Sequence, residues 1–139
     1  MNRRTLMIAA LTLAAWPAEA QSSLPSMSVR DAYERLKSGK SILIDIRRPE
    51  EWKETGVAEG AIPLDMTAPT FLDKLTALRR EHADKAIDII CRTANRTQRV
   101  QEILFRRGWS EIVNGRGGMV GNPGNPGWLM ERLPLTRIN

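Results

Sequence analysis

The stretch that decides the fold runs from Ile89 to Thr97 and has the sequence IICRTANRT. It joins an apolar run, Ala86–Ile90, to a polar segment that holds the only cysteine of the chain, Cys91. A short apolar run rich in β-branched residues predicts a strand buried on both faces, as in parallel sheets. Thr97 is expected to begin a helix that continues to about Arg107. The thiol is therefore predicted at the carboxyl end of a buried strand, directly before a helix.

Predicted strands and helices alternate along the rest of the chain. This order predicts an α/β domain with a central, mostly parallel sheet flanked by helices on both faces. The other predicted strands are Ser41–Ile46, Ala61–Ile62 and Glu111–Asn114. The other predicted helical segments are Asp31–Leu36 with Ser28 as N-cap, Pro49–Trp52, Phe71–His82 with Thr70 as N-cap, and Trp128–Glu131. Gly115–Gly127 is rich in glycine and is expected to be loop.

Helical spacing of apolar residues indicates which side chains face the core. In the helix after Thr70 the expected inward residues are Phe71, Leu72, Leu75 and Leu78. In the helix after Cys91 they are Val100, Ile103 and Leu104.

The first twenty residues have the three parts of a secretory signal peptide. Arg3 and Arg4 supply the positive charge, an apolar run follows, and Ala18-Glu19-Ala20 is a small-x-small cleavage site. We therefore expect cleavage before Gln21, a short leader over residues 21–25, a domain over 26–139, and a periplasmic or secreted location. The apolar run is about half of the roughly 20 residues that a spanning helix needs. No apolar run after Ala20 could span a bilayer, so no membrane association is expected after cleavage.

Composition narrows the possible functions further. About 119 residues remain after Ala20, enough for one domain and too few for two. The net charge is +5, but no basic run is interleaved with aromatic residues, so nucleic-acid binding is not expected. One cysteine cannot form an internal disulfide, which leaves either a buried inert thiol or a functional one.

The surroundings of Cys91 favour a functional thiol. A loop that closes onto a helix N-terminus directs backbone N–H groups inward and adds the positive end of the helix dipole. Arg92 and Arg96 add fixed positive charge. Each effect favours the thiolate over the thiol, which would activate the sulfur as a nucleophile. The same cradle could hold an anionic reactant, because the planar guanidinium of arginine grips oxyanions through two N–H groups.

Four motifs in order resemble the rhodanese family of sulfurtransferases. They cover nearly all of the chain from about Ser26 to Pro134. The motifs are Leu43-Ile44-Asp45-Ile46-Arg47 with Pro49-Glu50-Glu51-Trp52, then Gly60-Ala61-Ile62-Pro63, then the Cys91 loop, then Gly108-Trp109 with Val113-Asn114 and Gly117-Gly118-Met119.

The resemblance implies sulfur transfer through a persulfide on Cys91 as the catalytic residue. The implied donor is a small sulfur anion, with Arg92 favouring thiosulfate, and the implied acceptor is cyanide or a thiol. Arg96 would close the loop and help to bind the anion, while Asn95 and Thr97 would hold the loop in shape. The implied substrate-binding residues are Arg92, Thr93, Ala94, Asn95, Arg96 and Thr97. No metal or organic cofactor is implied, and an exported protein could serve as partner.

Three features depart from the family pattern. Ala94 stands where glycine is usual, so the loop either avoids positive φ there or carries strain. Val57-Ala58-Glu59 replaces a usual His-Ile-Pro, whose histidine we regard as structural. Residues 120–127 form an extra loop expected beside the site, either as part of its entrance or as a tolerated surface insertion.

Two other functions remain open from the sequence. The first is a phosphatase or arsenate reductase on the same fold. Those relatives place one more residue between cysteine and arginine than the four between Cys91 and Arg96, so the spacing favours sulfur chemistry. The second is a non-catalytic sulfur carrier or binding module.

Asp45 and Arg47 are predicted to form a structural ion pair rather than to catalyse.

Overall fold

Short strands alternate with helices throughout the part of the chain that the computed structural model describes, residues 24–139. The elements are β1 (Ser26–Met27), α1 (Val29–Lys37), β2 (Ser41–Asp45), α2 (Pro49–Thr55), β3 (Val57–Ala58), β4 (Ile62–Pro63), α3 (Phe71–Glu81), β5 (Ala86–Ile90), α4 (Asn95–Arg106), β6 (Ile112–Gly115) and β7 (Leu135–Thr136). The predicted signal peptide and the start of the leader lie outside the described residues.

Five parallel strands form the central sheet in the order β1-β6-β5-β2-β4. The register places Asp45, the last residue of β2, beside Ile90, the last residue of β5. Because the strands are parallel, their carboxyl ends meet at one edge, and Cys91 lies at that edge. A separate antiparallel ribbon pairs β3 with β7.

Helices cover both faces of the sheet, which confirms the predicted α/β architecture. On one face, Leu75 of α3 and Val100 and Leu104 of α4 pack on the isoleucines of β2 and β5. On the other face, Val29 of α1 packs together with Trp128. The N-cap of α1 is as predicted, since the Ser28 hydroxyl accepts a hydrogen bond from the Asp31 N–H.

The inward face of α4 differs from the prediction. Ile103 is 55 % exposed, whereas Gln101 is buried. The Gln101 amide donates hydrogen bonds to the carbonyls of Pro25 and Ile112, which ties α4 to β6 and to the residue that precedes β1. A polar side chain with satisfied donors can thus hold a core position that periodicity assigns to an apolar residue. In α3, Leu72 is also exposed rather than buried.

Two predictions at helix N-termini differ from the structure. The helix after Cys91 begins at Asn95, two residues before the predicted Thr97. Thr70 is the N-cap residue of α3, but its side chain makes no capping hydrogen bond. Residues 128–131 lie in a turn, in which the Glu131 N–H donates to the Gly127 carbonyl as in a single turn of helix.

Within residues 24–139, no helix is long and apolar enough to cross a bilayer.

Candidate functional site

Cys91 follows β5 directly, and its side chain points to the face covered by α3 and α4. The residue is 0 % exposed, so the thiol is closed off from solvent in this state. Its sulfur lies 3.4 Å from the hydroxyl oxygen of Thr97, which is also fully buried. The sulfur therefore has both apolar neighbours and one hydroxyl partner.

The segment after β6 fixes the backbone of the Cys91 loop. The Met119 N–H donates to the Cys91 carbonyl (2.8 Å), and the Val120 N–H donates to the Arg92 carbonyl (3.0 Å). The Asn122 side-chain amide donates to the Thr93 carbonyl (2.9 Å). We call residues 119–122 the brace. In a trans peptide the N–H points opposite to the C=O, and the described chain contains no cis peptide. The three N–H groups that follow these carbonyls therefore point away from the brace.

A run of unpaired backbone donors follows the cysteine in the chain. Among residues 24–139, no hydrogen-bond acceptor is found for the backbone N–H groups of residues 92–97. The first helical hydrogen bond of α4 is donated by Gln98 to the Ala94 carbonyl. Unpaired N–H groups at a helix N-terminus form an anion-binding cradle that the helix dipole reinforces. The loop is thus suited to hold negative charge on sulfur or on a bound anion.

Ala94 is the residue at which the loop turns into α4. Its φ is 74°, in the left-handed region, and it occupies the N-cap position without a side-chain cap. Of the two outcomes expected from the sequence, the loop keeps the positive φ and carries the strain. For a residue with a Cβ this conformation costs about 1–2 kcal/mol.

Thr97 links the loop to the sulfur. Its hydroxyl donates to the Ala94 carbonyl (3.0 Å) while its oxygen lies beside the Cys91 sulfur. A hydroxyl has one hydrogen, so it accepts from a neutral thiol but must turn to donate to a thiolate. Thr97 can therefore adapt to either charge state of the cysteine.

Arg96 forms an ion pair with Glu51, a residue that was not predicted from the sequence to belong to the site. Its Nη1 and Nη2 donate to the two carboxylate oxygens of Glu51 in α2, at 2.7 and 2.6 Å. These hydrogen bonds, with one more from the Arg48 N–H, lower the pKa of Glu51 to about 2. The same pair raises the pKa of Arg96 above its usual value. Glu51 is thus a fixed carboxylate at physiological pH.

Asp45 and Arg47 form the ion pair that the sequence predicted. Arg47 is 1 % exposed, and its guanidinium donates to Asp45, to the Thr55 hydroxyl and to the Gly56 carbonyl. Because these groups hydrogen-bond to one another, the pair anchors α2 to the carboxyl end of β2. The Arg47 guanidinium thus has the structural role that the sequence predicted.

The extra loop over residues 120–127 lies against the Cys91 loop. A Cβ at Gly118 would collide with the Arg92 carbonyl, so the approach of the two segments requires glycine there. Asn122 and Asn125 line a polar cavity of about 770 Å³ together with Thr93, Ala94 and Asn95. Cys91 does not line this cavity, so a role of the loop in the entrance to the thiol stays a prediction.

The structure brings some of the predicted site residues together and leaves others at the surface. Cys91, Ala94 and Thr97 are buried side by side, whereas the Arg92 and Asn95 side chains are exposed and Thr93 is half-buried. Glu51 was not foreseen, although an acid in the first turn of a helix next to this sheet edge was a usable signal. The brace hydrogen bonds had no sequence signal beyond Gly117-Gly118.

Comparison with known proteins finds a matching family and related sequences. A family model described as the rhodanese-like domain matches residues 28–121. An uncharacterised protein of Rickettsia prowazekii is 28 % identical over 110 residues, covering 74 % of this chain and 89 % of that protein.

Two solved structures show the same fold. A polysulfide-sulfur transferase homodimer from Wolinella succinogenes matches with a TM-score of 0.62 and 28 % identity, covering 87 % of this chain and 84 % of that one. A rhodanese-related protein from Thermoplasma volcanium matches with a TM-score of 0.62 and 27 % identity, covering 81 % of this chain and 97 % of that one.

Proposed function

The chain belongs to the rhodanese-like family and has its sulfurtransferase-type fold, and from this premise we propose that it moves sulfane sulfur through a persulfide on Cys91. The proposed donor is thiosulfate or a similar small sulfur anion, and the proposed acceptor is cyanide or a thiol.

The observation that carries the proposal is the run of unpaired N–H groups over residues 92–97. A persulfide is an anion on its outer sulfur, and unpaired backbone donors held at fixed positions stabilise such a charge without reorganising. The brace keeps these donors in place by holding the carbonyls on the opposite side of the loop.

In the first half-reaction the Cys91 thiolate attacks the outer sulfur of thiosulfate. A new S–S bond forms to Cys91, the S–S bond of the donor breaks, and sulfite leaves with the electron pair. The hydroxyl of Thr97, 3.4 Å from the sulfur, can donate to the thiolate before attack. No external oxidant is needed, because Cys91 replaces sulfite as the bonding partner of the transferred sulfur and one S–S bond is exchanged for another.

In the second half-reaction the acceptor attacks the outer sulfur of the persulfide. The S–S bond to Cys91 breaks, and the thiolate is regenerated with its electron pair. The cradle then stabilises the leaving thiolate as it had stabilised the persulfide. Arg92, exposed beside Cys91, is placed to attract anionic reactants toward the loop.

The experiment is a turnover assay that follows sulfite release from thiosulfate with cyanide or dithiothreitol as acceptor. Wild type is expected to release sulfite with either acceptor, whereas Cys91→Ser is expected to release none. p-Nitrophenyl phosphate serves as the comparison substrate, because a related phosphatase would hydrolyse it. Phosphate release without sulfite release would overturn the proposal.

The proposal also includes export of the protein from the cytoplasm. We expect the protein to lose residues 1–20 and to act in the periplasm or outside the cell, on a small-molecule acceptor or on an exported partner protein. Intact mass of the protein recovered from the periplasm should correspond to a chain that starts at Gln21. A full-length chain confined to the cytoplasm would contradict export.

A further inference from the structure

Glu51 accepts hydrogen bonds from the guanidinium of Arg96, the arginine that the sequence assigned to anion binding. Its two oxygens accept from both Nη atoms of Arg96, and one of them also accepts from the Arg48 N–H at 3.0 Å. A sulfur oxyanion would present two oxygens to a guanidinium in the same parallel arrangement. The carboxylate therefore occupies the position on Arg96 that the oxyanion end of a donor would take.

We propose that Glu51 is a specificity-determining residue of the Cys91 site, which a strongly anionic donor must displace from Arg96 and which favours donors of lower charge. The inference rests on the proposed sulfur transfer and names the donor class within it. On this basis, persulfides, whose sulfane group carries a single negative charge, suit the resting site better than the thiosulfate dianion does.

The electrostatics of the loop support this role. Arg96 lies in the first turn of α4, directly after the Cys91 loop, so a free guanidinium would attract anions toward this loop. The Glu51 carboxylate cancels most of that field at a distance of one hydrogen bond. An approaching dianion then meets a neutral pair in place of a free guanidinium.

The Arg96–Glu51 pair is also partly exposed, so that a ligand can replace Glu51 on Arg96. The Arg96 side chain is 31 % exposed and that of Glu51 is 19 % exposed, while Cys91 is closed off. No residue of α2, which lies wholly in the described part of the chain, is fully buried. Glu51 can therefore swing away from Arg96 without opening a packed core.

The first test compares thiosulfate kinetics of Glu51→Gln with those of Glu50→Gln at constant ionic strength. Glu50 is the exposed neighbour in α2, so its variant makes the same charge change away from Arg96. We expect Glu51→Gln to lower the KM for thiosulfate by about three- to tenfold, in keeping with one charged hydrogen-bonded pair. Glu50→Gln should leave KM unchanged. A KM that rises in Glu51→Gln, or that falls equally in both variants, overturns the proposal.

A double-mutant cycle shows whether the effect passes through Arg96. In an Arg96→Gln background, Glu51→Gln should no longer lower the KM for thiosulfate, because the guanidinium for which Glu51 and thiosulfate compete is gone. Thermal unfolding of all variants accompanies the kinetics. An undiminished effect without Arg96 contradicts the proposed competition.

A second readout does not depend on sulfur transfer. Cys91 is alkylated with iodoacetate, an anion, and with iodoacetamide, its neutral analogue, and the ratio of the two rates is compared between variants. Glu51→Gln should raise the iodoacetate rate relative to iodoacetamide by a similar factor, while Glu50→Gln should not. An unchanged ratio, or a thiol that reacts with neither reagent in every variant, overturns the role of Glu51. Failure of turnover alone, with the ratio shifted as expected, bears against the proposed function only.

Discussion

At the scale of single residues, the backbone of Ala94 sets the shape of the Cys91 loop. The left-handed conformation at this residue turns the chain into α4 and leaves the preceding N–H groups free. Alanine tolerates that conformation at a cost of about 1–2 kcal/mol, whereas glycine adopts it freely. The protein keeps the loop geometry and bears the strain.

Replacing this residue by glycine should therefore stabilise the protein. We expect Ala94→Gly to raise the free energy of unfolding by about 0.5–1 kcal/mol, since relief of strain exceeds the added chain entropy of the unfolded state. Urea unfolding measures the change. The control is Ala77→Gly in the exposed middle of α3, which should lower stability by about 1 kcal/mol. A loss of stability in Ala94→Gly of the same size as in the control would show that Ala94 is not strained.

The residues of the site differ in how far the sequence could predict them. A lone cysteine between a buried strand and a helix was enough to predict the cradle, because that information is local. The pairing of Arg96 with Glu51 spans 45 positions and depends on how α2 lies on the sheet edge. Long-range contacts of this kind carry no periodic or spacing signal.

At the scale of elements, the brace decides whether the cradle is preorganised. Its three hydrogen bonds hold three successive carbonyls of the loop, and the one from Asn122 is made by a side chain. The same amide also donates to the Arg116 carbonyl at 2.7 Å, which links the loop to the end of β6. The brace therefore couples the strand that follows α4 to the strand that precedes it.

Loss of the Asn122 side chain should loosen the loop and slow persulfide formation. We expect Asn122→Ala to reduce the single-turnover rate with thiosulfate about tenfold, because misplaced donors stabilise the transition state poorly. Asn125→Ala is the matched control, since its amide bonds only to Asn122 and not to the Cys91 loop. Its rate should fall by about twofold at most. Equal rates in the two variants would exclude the brace as an organising element.

Element prediction succeeded where strands and helices were long enough to show a period. β5 has the predicted bounds, and α1, β2 and α3 lie within a few residues of theirs. β1, β3 and β7 contain two residues each and were not predicted, since so short a run has no period. Gln101 replaced Ile103 in the core because hydrogen bonds to Pro25 and Ile112, not hydrophobicity, select it.

At the scale of the whole molecule, two acidic side chains should shape the pH dependence of stability in opposite directions. Burial raises the pKa of Asp88, whose carboxylate lies in the sheet 3.3 Å from Arg35. Arg96 holds the pKa of Glu51 at about 2. A raised carboxyl pKa gives stability below 3.8 that is lost as pH rises, and a lowered one gives stability above 4.5 that is lost as pH falls toward 2.

The Asp88 contribution can be separated by substitution with asparagine. We expect the free energy of unfolding of Asp88→Asn to improve relative to wild type as pH rises from 4 toward 7, because asparagine does not ionise. Urea unfolding at several pH values measures the difference. If the difference in free energy of unfolding between Asp88→Asn and wild type stays constant with pH, or if the variant becomes relatively less stable as pH rises, then burial does not raise the pKa of Asp88.

The central claim is that the cradle around Cys91 holds a persulfide, and intact mass after treatment with thiosulfate tests it most directly. Wild type is expected to gain one sulfur atom, to lose it again on addition of cyanide, and to map it to Cys91, while Cys91→Ser gains none. A wild-type mass that stays unchanged, or a gain that persists in Cys91→Ser, would contradict the claim.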